Sequence, residues 1–280
     1  MSPALRPAAR AALSDLEERI GEPIPRVETF DWRHFGYIER DGAIAELELH
    51  GKGLREIPES VLALEELGRL RVSGNPLTSA PDGLARLARL EELGLGSTGI
   101  GAVPPAVRRL PVLRSLDLAA NPGLRLPDWL GELQGLEALY VPRLGLAEVP
   151  PWVRRLRGLS RLVLYGNRLA RVPDWVCELE ALRELTLGGN DLAEIPECVA
   201  TLTRLEELSL YRNRLARLPR DLGRLERMRE LVAADNRIEV LPESIGGLTG
   251  LEYLVLDGNR LAALPESIVA LSSLRTLRLR

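Results

Sequence analysis

The sequence is poor in lysine, histidine, cysteine and aromatic residues. Lys52 is the sole lysine among 37 Lys and Arg residues, and aromatic residues make up 4% of the chain. We interpret the arginine bias as the codon usage of a GC-rich bacterial genome. Selection against ubiquitin acceptor sites in a protein delivered to a host cell is the alternative. With so few rings, a hydrophobic core has to be built from Leu, Val and Ile.

These absences exclude several classes of function. No apolar run approaches the roughly 18 residues that a membrane-spanning helix requires, and charged residues interrupt residues 1–21, where a secretory signal would stand. A formal charge of −3 gives no general attraction to nucleic acid. Two cysteines, Cys177 and Cys198, cannot make a disulfide framework and fit a reducing compartment best. We therefore expect a cytoplasmic protein that binds neither membrane nor nucleic acid.

A 23-residue repeat organises the chain from Ile44 onward. Counting its first residue as position 0, further apolar side chains fall at positions 3, 5, 10, 13, 17 and 20, and position 14 is proline in all ten full copies. This regularity predicts an array of stacked structural units. Position 0 recurs without insertion or deletion at Ile44, Leu67, Leu90, Leu113, Leu136, Leu159, Leu182, Leu205, Met228, Leu251 and Leu274.

Each part of the unit predicts a local structure. Positions 3 and 5 alternate as a short strand with one face inward. Asparagine at position 8, present in seven copies, should turn the chain, because its amide can bond backbone groups that the bend leaves without partners. Proline holds the residue before it extended and suits the start of a short helical turn. One unit buries too little apolar surface to stand alone, so the units must stack.

The unit LxxLxLxxNxLxxLPxxLxxLxx, seen from Leu205 to Arg227, resembles the leucine-rich repeat of intracellular scaffolds. Similar repeats occur in Scribble-like polarity proteins, Ras-pathway scaffolds and many bacterial proteins. The resemblance covers residues 44–280 and implies an α/β solenoid, a right-handed horseshoe with a parallel concave sheet and short helical turns on the convex side. It also implies a protein partner, usually on the concave face.

Residues 1–43 precede the repeats and are expected to cap them. Pro7 to Ile20 has the apolar spacing of an amphipathic helix, and Asp41-Gly42 is a strong signal for a hairpin turn. The hairpin would cover the open edge of the first repeat. Trp32 and Phe35 are expected to cover the end of the leucine core.

The carboxyl end has no comparable cap. Ten full repeats occupy residues 44–273, and a partial eleventh occupies residues 274–280. Because a solenoid normally covers its last repeat with a polar face, we favour truncation over use of this end for contact with a second copy.

The candidates for catalysis are weak. Gly94–Gly99 matches the GxGxxG of dinucleotide sites, but the next helical turn follows only after Pro104, whereas that motif needs a helix directly after the glycines. Cys177 and Cys198 stand at positions 18 and 16, which do not share a stacking row, and neither has a histidine partner. We expect no catalytic residue, no metal site and no cofactor.

The concave face is the predicted binding surface. Positions 2, 4 and 6 point to it because side chains alternate along a strand. Four of the five tyrosines fall there, and tyrosine combines a large contact area with a polar tip. Three glutamates stack on consecutive strands, which costs stability unless basic groups oppose them. The predicted partner-binding residues are Tyr140, Val163, Tyr165, Glu184, Glu207, Tyr211, Glu230, Val232, Tyr253 and Val255.

A second, convex surface carries tryptophan. Trp129, Trp152 and Trp175 share position 16 of three consecutive repeats and are expected to stack as a ladder. Packing is the favoured role, and self-association through the ladder is the alternative.

The sequence as a whole predicts a non-enzymatic scaffold that binds another protein. The alternative function is the substrate-recognition domain of a larger bacterial effector enzyme, of ligase type, whose catalytic part is absent.

Overall fold

The computed structural model describes residues 5–30, 35–78 and 81–280. It contains two compact units, Met1–Leu136 and Glu137–Arg280. The prediction for Trp32 falls outside the described residues. Phe35 is described, and its ring lies 3.6 Å from the Lys52 ammonium group, so the ring is covered by a cation.

The first unit begins with a helix and a hairpin. α1 spans Pro7–Ile20, buries the apolar stripe around Leu13 and Leu16, and ends at a left-handed glycine. β1 (Gly36–Arg40) and β2 (Ala43–Glu48) then pair antiparallel. Asp41 and Gly42 between them both have positive φ, which is the conformation that an Asp-Gly hairpin turn requires.

Parallel strands extend the sheet of the first unit beyond the hairpin. β2 pairs with β3, β3 with β4 and β4 with β5, and paired residues are 23 apart in the sequence. A short helical turn follows each strand on the side away from the sheet. The strands are β3 (Arg69–Arg71), β4 (Glu92–Gly94) and β5 (Ser115–Asp117). The turns are α2 (Glu59–Leu62) and the 3-10 turns Asp82–Arg86, Pro105–Arg109 and Asp128–Glu132.

The second unit repeats the same coil seven times, the last time in part. Its strands pair in parallel and in register from β6 to β12. They are β6 (Ala138–Tyr140), β7 (Arg161–Val163), β8 (Glu184–Thr186), β9 (Glu207–Ser209), β10 (Glu230–Val232), β11 (Tyr253–Val255) and β12 (Thr276–Arg278). The 3-10 turns are Pro151–Arg155, Asp174–Glu178, Glu197–Thr201, Leu222–Arg224, Glu243–Gly247 and Glu266–Ala270.

Leucine fills the core between the sheet and the turns. The central residue of each complete coil's strand, such as Leu162 or Leu208, is almost fully buried. In every turn but Leu222–Arg224, the residue directly before the turn is a proline with an extended ψ, as at Pro173 with 146°, so the chain enters the turn from an extended arm. Strand, bend, arm and turn therefore follow each other as predicted, and each unit is a stretch of an α/β repeat solenoid.

A ladder of buried asparagines supports the bends. In the second unit, the Asn213 amide nitrogen donates to the carbonyl oxygens of Leu187 and Leu210, both at 3.0 Å. Its oxygen accepts the Leu192 N–H, also at 3.0 Å. Thr98 replaces the asparagine in the third repeat and donates from Oγ1 to Leu95 O at 2.8 Å. The predicted role of this position in satisfying backbone groups is confirmed.

The two cysteines pair with each other, which their unequal positions in the repeat did not predict. Cys177 and Cys198 form a disulfide, with Cα atoms 5.9 Å apart. Position 18 of one repeat lies against position 16 of the next, which is 21 residues later in the sequence. Gly246 and Ser267 stand at the same two positions of a later pair of repeats, and a Cβ built on Gly246 would be 2.9 Å from Ser267 Cβ. A stacking row joins equal positions of neighbouring repeats, whereas this contact joins two different positions. The cytoplasmic, reducing location inferred from the cysteines thereby loses its basis.

Within the described ranges, each helix is too short or too polar to cross a bilayer.

Candidate protein-binding face

Side chains at positions 2, 4 and 6 form three rows on the side of the sheet that faces away from the core, which we call the open face. It corresponds to the predicted concave face. Residues 23 apart lie on neighbouring strands, about 4.8 Å from each other. In the second unit, position 2 holds Ala138, Arg161, Glu184, Glu207, Glu230, Tyr253 and Thr276. Position 4 holds Tyr140, Val163, Thr186, Ser209, Val232, Val255 and Arg278, and position 6 holds Pro142, Tyr165, Gly188, Tyr211, Ala234, Asp257 and Arg280.

The predicted site residues all lie on this face, but they differ in accessibility. Tyr253 is 41% exposed, whereas Tyr140, Tyr165 and Tyr211 are half-buried. Val163 is only 5% exposed, so it supports its neighbours and presents little surface of its own. Each of the four tyrosines thus keeps part of its surface accessible to solvent.

Small or charged neighbours hold the tyrosine rings in place. The Tyr211 ring covers Gly188, because a Cβ built on that glycine would be 2.1 Å from Tyr211 Cε1. The Arg143 guanidinium lies 5.4 Å from the centroid of the Tyr165 ring, within the range of a cation–π contact. The rings are therefore fixed before any partner arrives, which lowers the entropy cost of binding.

Arg161 ties a tyrosine to the acidic row. Its Nη1 donates to the Tyr140 hydroxyl oxygen at 2.8 Å, and its Nε pairs with the Glu184 carboxylate. This arrangement neutralises the first glutamate of the row. Sequence reasoning anticipated relief by arginine but not the bond to the Tyr140 hydroxyl.

The rest of the acidic row is not neutralised. Glu184 pairs in register with Glu207, and Glu207 pairs in register with Glu230. Among the residues that the structure describes, Glu207 and Glu230 have no basic partner within 4.0 Å. Burial raises the pKa of Glu207, and the charges of Glu184 and Glu230 raise it further. A cation laid along this row would relieve that repulsion.

The open face of the first unit is built differently. Arg69 lies between Glu46, at 2.9 Å, and Glu92, at 2.7 Å, and its guanidinium bonds both carboxylates of its own row. Arg71 Nη2 is 3.5 Å from Glu92. Its Nε is 3.9 Å from Glu48, which is only 8% exposed. Burial raises the pKa of Glu48 to about 7. Sequence reasoning missed this network, although the alternating signs at position 2 were a signal for it.

The glycine run of the first unit lies in repeat register. Gly94 and Gly96 occupy positions 4 and 6 on the open face, where they leave space for the side chains of Arg71 and Asp117. The next turn starts only at Pro105. The strand–glycine–helix arrangement of a dinucleotide site is therefore missing at this point of the chain. Within the described part of the chain, no cluster of three His, Cys, Asp or Glu side chains could hold a metal ion.

The other predicted surfaces offer less to a partner of the second unit. Trp152 is 3% exposed and Trp175 is half-buried, so both mainly pack on the turn side. Trp129, in the first unit, is also half-buried. The last coil leaves Val269, Leu277 and Leu279 exposed. Self-association at either place stays a prediction.

Comparison with known proteins agrees with the architecture. Residues 103–214 match a family described as a leucine-rich repeat region. No curated protein matches the chain. With 23-residue coils that each place a strand, a bend and a short turn in the same order, the chain has the leucine-rich-repeat fold.

Solved structures share the same coil. A leucine-rich-repeat protein of Leptospira interrogans is 29% identical, with a TM-score of 0.76, over 84% of this chain and 60% of that chain. The ectodomain of the Arabidopsis thaliana receptor kinase GASSHO1, solved in complex with CASPARIAN STRIP INTEGRITY FACTOR 2, is 26% identical, with a TM-score of 0.64, over 80% of this chain and 31% of that chain. An internalin of Listeria monocytogenes, 22% identical with a TM-score of 0.67 over 84% of this chain and 73% of that chain, shares the fold.

Proposed function

We propose that this chain is a scaffold without catalytic activity that binds a basic segment of another protein on the open face of residues 137–280. The observation that carries the proposal is the combination of preset tyrosine rings with Glu207 and Glu230, which have no basic partner within 4.0 Å among the described residues. Tyrosine supplies contact area at low entropy cost. The acidic row supplies charge complementarity, which favours a partner rich in Arg or Lys.

The neighbouring residues shape the segment that would bind. Val232 and Val255 lie beside Glu230 and Tyr253 and are partly exposed. A segment that alternates basic and apolar residues would place its charges over position 2 and its apolar side chains over position 4. The Arabidopsis ectodomain, whose complex is with CASPARIAN STRIP INTEGRITY FACTOR 2, gives an example of the same fold with a bound partner.

A displayed random-peptide library tests the proposal, because selection from it does not require the natural partner to be identified. The full chain should enrich peptides that combine Arg or Lys with apolar residues. Tyr165→Ala with Tyr211→Ala should weaken binding of the enriched peptide at least about 30-fold, because each truncated hot spot costs about 1–2 kcal/mol. Glu207→Gln with Glu230→Gln should weaken it and flatten its dependence on salt.

The matched control is Val240→Ala, since Val240 is 69% exposed but stands at position 12, away from the open face. This variant should bind the enriched peptide as the wild type does. Enrichment of acidic peptides, or equal binding by the Tyr165 and Tyr211 double variant with an unchanged circular dichroism spectrum, would reject the proposed site.

A further inference from the structure

The Cys177–Cys198 disulfide joins two neighbouring coils on the turn side. Cys177 lies in the turn Asp174–Glu178, and Cys198 lies in the turn Glu197–Thr201. The strands of these two coils are β7 and β8, which carry Arg161 and Glu184 on the open face. The covalent link therefore joins, on the turn side, the same two coils whose strands carry the start of the acidic row on the open face.

The same contact is not covalent in other coils. In the first two repeats, Leu62 at position 18 lies against Gly83 at position 16 of the next coil. In the ninth and tenth repeats, Gly246 lies against Ser267 in the same way. At those places apolar or van der Waals contact holds the turns together. Only the sixth and seventh repeats place a sulfur at both positions, because the chain contains two cysteines.

Both cysteines are partly exposed. A small thiol or disulfide can therefore reach the bond from solvent without unfolding of the leucine core, which is a condition for rapid exchange. The flanking turn is fixed independently of the bond, since Arg154 Nη2 and Arg157 Nη2 contact the Glu178 carboxylate at 2.7 and 2.8 Å. The turn Asp174–Glu178 therefore stays joined to Arg154 and Arg157 when the bond opens.

We propose that Cys177 and Cys198 form a reversible redox clasp between the sixth and seventh repeats. On closing, the two thiols lose two protons and two electrons to a small-molecule disulfide, which leaves as two thiols, and one sulfur–sulfur bond forms in the protein. A dithiol reductant reverses the reaction. The closed clasp fixes the spacing of the two turns and resists separation of the coils that hold β7 and β8.

The expected consequence is a change in thermal stability. A link across 21 residues restricts the unfolded chain. Reduction should therefore lower the melting temperature of the 280-residue chain by about 5–10 °C. Because neighbouring coils stabilise each other, hydrogen exchange should increase most in the two linked turns and in the coils next to them.

Two measurements test the clasp directly. After incubation with oxidised glutathione, tryptic digestion without reductant should give residues 172–183 linked to residues 184–204, and alkylation should find no thiol. After dithiothreitol, alkylation should find both cysteines, and re-oxidation should restore the link. Two alkylated cysteines after oxidised glutathione would overturn the proposal.

Cys177→Ser with Cys198→Ser is the matched variant. It should melt at the temperature of the reduced wild type and should not respond to dithiothreitol. A wild type whose melting temperature is the same with and without dithiothreitol would also overturn the clasp. The readouts are independent of the proposed binding face, so the clasp stands or fails whether or not the enriched basic peptide binds.

Discussion

The open faces of the two units use one repeat geometry in opposite ways. In the first unit, position 2 runs Glu46, Arg69, Glu92, and each charge meets its opposite on the next strand. In the second unit, the same position runs Arg161, Glu184, Glu207, Glu230, so that Glu184 pairs with Arg161 but Glu207 has a like charge on both sides. Parallel register brings equal positions of neighbouring repeats side by side. The signs of the charges along a row therefore decide whether these charges neutralise one another or stay available to a partner.

The difference extends to the aromatic residues. The described part of the first unit's open face carries charged side chains, His50, glycines and small side chains, whereas the second unit places four tyrosines there. Where the charges of a face already form ion pairs with one another, a partner that has to break these pairs gains little binding free energy. We therefore expect substitutions on the first face to change stability and substitutions on the second face to change binding.

The largest effect is expected for Arg69→Ala. The substitution removes the guanidinium that bonds both Glu46 and Glu92, whose side chains are only 14% and 29% exposed. We expect the first unit to lose about 3 kcal/mol of unfolding free energy, at the low end of the cost of breaking a buried ion pair. Urea unfolding monitored by hydrogen exchange in residues 44–136 measures this loss.

Glu207→Ala is the matched substitution at the same position of the second unit. It removes one of three like charges and breaks no ion pair among the described residues. The unfolding free energy should stay within about 0.5 kcal/mol of the wild type. Equal losses for Arg69→Ala and Glu207→Ala would show that the two faces do not differ in the way we describe.

An effect of similar size but opposite sign, about 3 kcal/mol at pH 8, is expected for Glu48→Gln, because each unit by which the pKa is raised corresponds to about 1.4 kcal/mol. Burial raises the pKa of Glu48 from 4.5 to about 7, although Arg71, the backbone N–H of His50 and Arg69 favour the charged form. The folded state thus binds the proton more tightly than the unfolded state does. The stability from this proton is full below about pH 4.5 and is lost as the pH rises through about 7.

The variant should therefore be more stable than the wild type at pH 8 and should show a weaker pH dependence between pH 4.5 and 7. Asp117 remains as a second carboxyl whose pKa is raised by burial, so a residual slope of the same sign is expected. Unfolding curves at several pH values measure both slopes. A Gln variant that is less stable than the wild type at pH 8 would contradict the buried-charge explanation.

The sequence was sufficient for the fold because each local signal agreed with the repeat. Proline, asparagine and the spaced leucines all predict the same coil, and Asp41-Gly42 predicts the hairpin. The open face was predictable for the tyrosines, since strand alternation alone assigns them. The Cys177–Cys198 bond was not, because the offset between neighbouring turns depends on how the coils pack. The burial of Val163 and of Glu48 was not predictable either, because it depends on side chains from several neighbouring strands.

A smaller change in stability than that expected for Glu48→Gln, and the sharpest test of the tyrosine arrangement, is expected for Gly188→Ala. The new Cβ would be 2.1 Å from the Tyr211 ring, so the ring has to rotate away, which should cost about 1 kcal/mol of unfolding free energy because the ring lies at the surface. Binding of the enriched basic peptide should fall about tenfold, since a displaced ring loses its preset position. Gly96→Ala is the control at the same position of the first unit, where the Cβ would meet Ala119 O and Asp117 Oδ2 at 3.3 Å. That variant should leave peptide binding unchanged, because positions 2, 4 and 6 of the first unit carry no tyrosine ring to displace. Equal weakening by both substitutions would show that peptide binding is not confined to the second face.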